Sequence, residues 1–136
     1  MLELSQPALT TAGIAVLAAT TVTSGGYFMT KVVTAQVPAT PFQTSFFRAG
    51  HAHAGVFIIL GLLSLLLTEA TGLTGGWQWL ARTGALVAAI VMPAGFFFSA
   101  MGRGRERPNR FVVLLPVGAA FLIAGLLTLG VGLVTA

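Results

Sequence analysis

The chain has 136 residues, of which 56% are hydrophobic and only 7% charged, and its mean hydropathy is +0.94. Too few polar residues remain to coat a soluble domain of this size, so a single-domain, all-α integral membrane protein spanning residues 1–136 is expected, with the lipid bilayer as its first partner. The absence of cysteine excludes disulfides, iron–sulfur clusters and thiolate ligation, and the net charge of +4 comes without the basic, aromatic-interleaved stripe of a nucleic-acid binder, so no nucleic-acid partner is expected.

Residues 1–7 read as a short polar lead. The lead has no basic segment and its one charge is Glu3, which argues against a cleaved signal peptide. The first apolar run covers about 8–29 and carries Thr10, Thr11, Thr20, Thr21, Thr23 and Ser24, hydroxyls that bond back to the backbone or across to a neighbour. Gly25-Gly26-Tyr27 reads as a loosened last turn ending in an interfacial tyrosine. Residues 31–45, with Pro38 and Pro41, read as a loop along the membrane surface.

The second run, 46–68, opens with Phe46-Phe47-Arg48-Ala49-Gly50-His51-Ala52-His53-Ala54-Gly55. These are the chain's only histidines, a few residues inside a membrane helix, and ionisable groups there face a bundle interior, a cofactor or a water-filled path. A Gly/Thr turn follows over 69–76. The third run, 77–100, starts at Trp77 and Trp79, which mark an interface. Arg82 is expected to snorkel, and Pro93 to kink the helix and free a carbonyl. Residues 101–110 form the charged loop, with Arg103, Arg105, Glu106, Arg107 and Arg110. The fourth run, 111–134, has Pro116 near its start and glycines at 118, 125 and 132, a seven-residue spacing that favours close contact with another helix.

Four runs of this length make a four-helix bundle with both termini on one side. Six of the seven basic residues fall on the first and third connections or, for Arg48, within three residues of one. The positive-inside rule makes that side cytoplasmic, placing the chain in an inner or plasma membrane with both termini outside the cytoplasm.

Histidines two apart diverge by about 200° around a helix at 100° per residue, so one regular helix cannot close both on a single metal ion. Zinc sites of that kind want a spacing of four. The H-x-H pair suits two ligation events on opposite sides. An H-x-H at the start of a membrane helix resembles the motif in the catalytic subunit of heme–copper oxidases and nitric oxide reductases, where one helix reaches two hemes, one on either flank. That subunit has twelve helices in pseudo-threefold arrangement. A four-helix chain with H-x-H on its second helix matches one third of it, and three copies would build a comparable ring.

The resemblance implies a homo-oligomeric, possible-trimer assembly that binds heme b, with His51 and His53 as axial iron ligands at protomer interfaces, for electron transfer or for redox or gas sensing. The further histidines and the tyrosine of that family's copper site are missing, so oxygen reduction is not implied. Arg48, Arg103 and Arg105 are the candidates to anchor heme propionates. Their plainer reading is a membrane boundary for Arg48 and a topogenic, lipid-facing loop for the others. Two other readings compete: a structural or accessory subunit without cofactor, and a small metal-ion or proton transporter with histidines along the path. No nucleophile–base pair, phosphate loop or carboxylate pair suggests hydrolytic chemistry, and whether the chain is an enzyme stays open.

Overall fold

A computed structural model describes residues 3–136, so positions 1 and 2 of the expected polar lead lie outside the described residues. Four helices make up the fold: α1 (Gln6–Val33), α2 (Pro41–Thr68), α3 (Gly75–Ala100) and α4 (Leu114–Val134), the last entered through a 3-10 turn over Arg110–Val113. Each of these four segments, the last counted with its 3-10 turn, is long and apolar enough to cross a membrane. The all-α, four-helix membrane architecture expected from hydropathy is therefore the one observed.

The elements begin and end for local reasons. Ser5 caps α1 by accepting from the Ala8 amide, and Pro7 sits in the first turn, where its missing N–H costs nothing. The α1 threonines 11, 20, 21, 23 and 30 all bond back to carbonyls three or four residues earlier, which pairs those hydroxyls within the helix. The helix runs through Gly25-Gly26 without loosening, and Lys31 lies over the exposed Tyr27 ring at 4.6 Å.

The loop expected over 31–45 is shorter than that, because α2 starts at Pro41. Thr40 and Gln43 form a reciprocal capping box there, and Pro41 is preset for a first helical turn. His51 and His53 accordingly lie ten and twelve residues inside α2, rather than at its start.

The third helix is the centre of the bundle, packed on α2 along one face and on α4 along the other. Pro93 is buried within it, and the helix continues across the proline to Ala100. The glycines spaced by seven pack inside the chain. A β-carbon at Gly118 would lie 2.3 Å from Met92 Cγ, one at Gly125 3.0 Å from Gly84 Cα, and one at Gly132 2.6 Å from Leu73.

At the α2 N-terminal end, the buried Gln43 side chain donates to the carbonyls of Ala100 (2.8 Å) and Gly102 (2.6 Å), tying α2 to the end of α3. Thr40 Oγ1 donates to the Arg105 carbonyl beside it. Phe28, Phe47 and Phe97 stack at this level with centroids 5.2 to 6.3 Å apart, which fixes the end of α1. At the other end Arg82 does not snorkel. Only 11% of its side chain is exposed, and it pairs with Glu69, whose other oxygen accepts from the Ser5 amide at 2.9 Å. An arginine this far from water is held by a carboxylate because an unpaired charge there costs several kcal/mol, on the order of the penalty for a lone buried ion. The helix α1 is thus fastened at both ends and stands off α3 in between.

Candidate functional site

The two histidines project from opposite sides of α2, as their spacing requires. The His51 ring lies against α1, where Gly25 and Gly26 leave the backbone bare. A β-carbon on Gly25 would come within 3.1 Å of His51 Nδ1, and one on Gly26 within 3.7 Å of Nε2. The glycine pair therefore makes room for the imidazole, a role invisible until α1 and α2 are paired. Among the described residues no hydrogen bond engages His51, and the ring is only half-buried.

His53 is held differently. Its Nδ1 is 2.7 Å from the carbonyl of Ala49, one turn earlier. A carbonyl only accepts, so Nδ1 carries a proton and the neutral ring keeps its lone pair on Nε2. The ring is wedged between Phe57, edge-on at 5.2 Å, and Phe96 at 5.0 Å. One ring nitrogen fixed on a backbone carbonyl and the other left with a lone pair is the arrangement that orients a metal-ligating imidazole.

Three clefts border His51. The largest, about 490 Å³, lies between α1, α2 and α3. A second, about 360 Å³, opens on the far side of the α1–α2 seam past Gly26, Gly55 and Ile59. A third, about 320 Å³, follows α1 from Gly26 past Thr30 to Thr34.

Of the arginines singled out, Arg48 is exposed on α2, one turn nearer the membrane surface than His51, in a groove with Thr44 and Ser45. Arg103 and Arg105 stand in the loop after α3, at the same end of the bundle. Arg105 Nε donates to the Met101 carbonyl at 2.6 Å and so closes its own loop, which turns on Gly102 and Gly104 at positive φ. The fold brings all three to the histidine-bearing end, yet none of them borders the clefts around His51.

No cluster of three or more His, Asp or Glu side chains occurs among the described residues. What the site offers is a pair of separate imidazoles. Sequence reasoning located both but missed the Gly25-Gly26 platform and the Glu69–Arg82 pair. The glycine doublet was the available signal for the first, and the equal and opposite charges flanking the 69–76 turn for the second.

The fold and these side chains define an integral four-helix membrane protein with two imidazoles carried on opposite flanks of one helix. Comparison with protein-family models, with curated proteins and with solved structures gives no match.

Proposed function

We propose that this protein binds heme b in the membrane for electron transfer, as a homo-oligomer, with His53 as the residue that would hold the iron. The observation that carries the reading is the Nδ1 bond from His53 to the Ala49 carbonyl, which leaves Nε2 as the coordinating nitrogen. The residues fit the group on one further count: the Phe57 and Phe96 rings hold the imidazole in one orientation. Arg48, five residues before His53 on the same helix and so about 140° round it, is on the other flank and is no propionate partner for a group held by His53. When bound, heme supplies one-electron iron chemistry; the chain's own work is to orient an imidazole and keep water away from it.

The α1 helix of the same chain packs over the flank that His51 serves, which favours His53 of a second copy, rather than a neighbour's His51, as the other residue that would hold the group. Iron held by two imidazoles would serve electron transfer rather than gas binding. The deciding experiment is the visible absorption spectrum of protein produced with ample heme and purified in mild detergent. A low-spin spectrum with an intense Soret band that carbon monoxide barely alters is expected. Protein free of any Soret band would end the heme reading.

A further inference from the structure

The largest cleft beside His51 has two unlike ends. Close to the imidazole it is walled by Pro93, Phe97 and the bare backbone of Gly25; away from it the lining turns aliphatic, with Ile14, Leu86, Val87 and Ile90. Ile14 and Ile90 are 63% and 72% exposed, so the cleft opens sideways onto the bilayer. Its three threonines, 11, 21 and 83, each donate to a carbonyl of their own helix and have no proton to offer a ligand. The imidazole of His51 is the lining's one side chain with an uncommitted N–H. The Nδ1 edge meets Gly25, which borders this cleft. The Nε2 edge meets Gly26, which borders the hydroxyl-lined cleft running to Thr34 at the end of α1.

We propose that this cleft is a binding site for a lipid-soluble quinone, with a ring carbonyl accepting a hydrogen bond from His51 and the isoprenoid tail lying along the aliphatic wall. Depth selects the ligand. With α2 about 42 Å long and the hydrocarbon core about 30 Å, His51 sits roughly 9 Å inside that core. A phospholipid brings only acyl chain to this level, which leaves the imidazole unpaired, whereas a quinone carries carbonyl oxygens there on an apolar tail. Phe97 and Pro93 offer flat surfaces to a planar ring, and a volume near 490 Å³ falls within the roughly 300–1,000 Å³ common for small-molecule sites. The cleft that runs past Thr30 to Thr34 leads from the same imidazole toward the end of α1. This site is on the opposite flank of α2 from His53 and stands independently of heme.

The test uses the full chain in lipid nanodiscs and a decyl-benzoquinone labelled with carbon-13 at its carbonyls, read by infrared difference spectroscopy. Saturable binding with a carbonyl stretch moved to lower frequency is expected, and decylbenzene, which has no carbonyl, should not compete. His51→Leu should abolish the frequency shift and weaken binding about fivefold, the worth of one net hydrogen bond. Ala18→Trp, at an exposed position of the cleft wall, should remove saturable binding while leaving the helical content and thermal melt unchanged. It decides the matter should His51→Leu fail to fold. Absence of saturable binding, equal competition by decylbenzene (an acyl-chain groove only), or unaltered binding in Ala18→Trp would each overturn the assignment. The infrared signal comes from the quinone and the Soret band from heme, so each reading fails or stands by its own measurement.

Discussion

Replacing Gly125 by leucine should separate α4 from α3. The two helices cross backbone to backbone at Gly84 and Gly125. Even a single β-carbon on Gly125 would lie 3.0 Å from Gly84 Cα and 3.0 Å from the Leu80 carbonyl oxygen. That is at least about 0.5 Å short of the 3.5–4.0 Å at which carbon atoms attract. Neither obstacle is the free end of a side chain, so neither can swing aside. A leucine would push the helices apart and loosen the contacts of Gly118 with Met92 and of Gly132 with Leu73 on the same seam.

Overpacking a core costs roughly 1–3 kcal/mol where side chains can adjust, and a rigid backbone contact puts this substitution at about 3 kcal/mol or above. The control is Gly130→Leu. That residue lies on the same helix with nothing within 4 Å of its added β-carbon, and it should change stability by no more than about 0.5 kcal/mol. Reversible unfolding in bicelles, followed by helical content against denaturing detergent, measures both. Equal effects from the two variants would show that the glycine spacing carries no packing and would refute the α3–α4 seam.

Glu69 gives a pH dependence. The Ser5 amide bond, followed by the Ser5 side chain and Arg82, holds its carboxyl below the ordinary 4.5 against the opposing effect of burial. A depressed carboxylate contributes stability that is complete above its ordinary value and is lost as pH falls through the lowered one. Acid melts should therefore steepen below 4.5 in the natural chain, and Glu69→Gln should flatten that limb. Gln43→Ala should cost about 1–3 kcal/mol, because it strips the buried carbonyl of Ala100 of its donor, loses the bond to Gly102 and breaks the capping box; thermal melts in detergent would read the loss. A reporter joined after Ala136 should be active outside the cytoplasm if the basic connections lie inside, and a cytoplasmic signal would reverse the orientation.

Hydropathy made the four spans legible because every helix is apolar nearly all round, and the seven-residue glycine spacing pointed to close packing before any partner was visible. The divergence of His51 and His53 followed from helical geometry alone. Other features depended on pairings that one-dimensional patterns do not carry. The start of α2 was hidden because Pro41 reads as a loop residue unless the Thr40–Gln43 box is weighed with it. The fate of Arg82 turned on Glu69, thirteen residues away across a turn that folds the two charges together. The function of Gly25-Gly26 required knowing which side of α1 meets α2. Nothing in periodicity along a hydroxyl-rich, evenly apolar helix fixes that rotation.

The central claim is that the two histidines do different work, His53 as an iron ligand and His51 at the cleft beneath α1. It is tested most directly by comparing the visible spectra of His53→Ala and His51→Ala, each produced with ample heme and brought to equal helical content. The account predicts that His53→Ala loses the Soret band while His51→Ala keeps the low-spin spectrum of the natural chain. Two variants that lose heme alike would contradict it and restore both imidazoles to the iron.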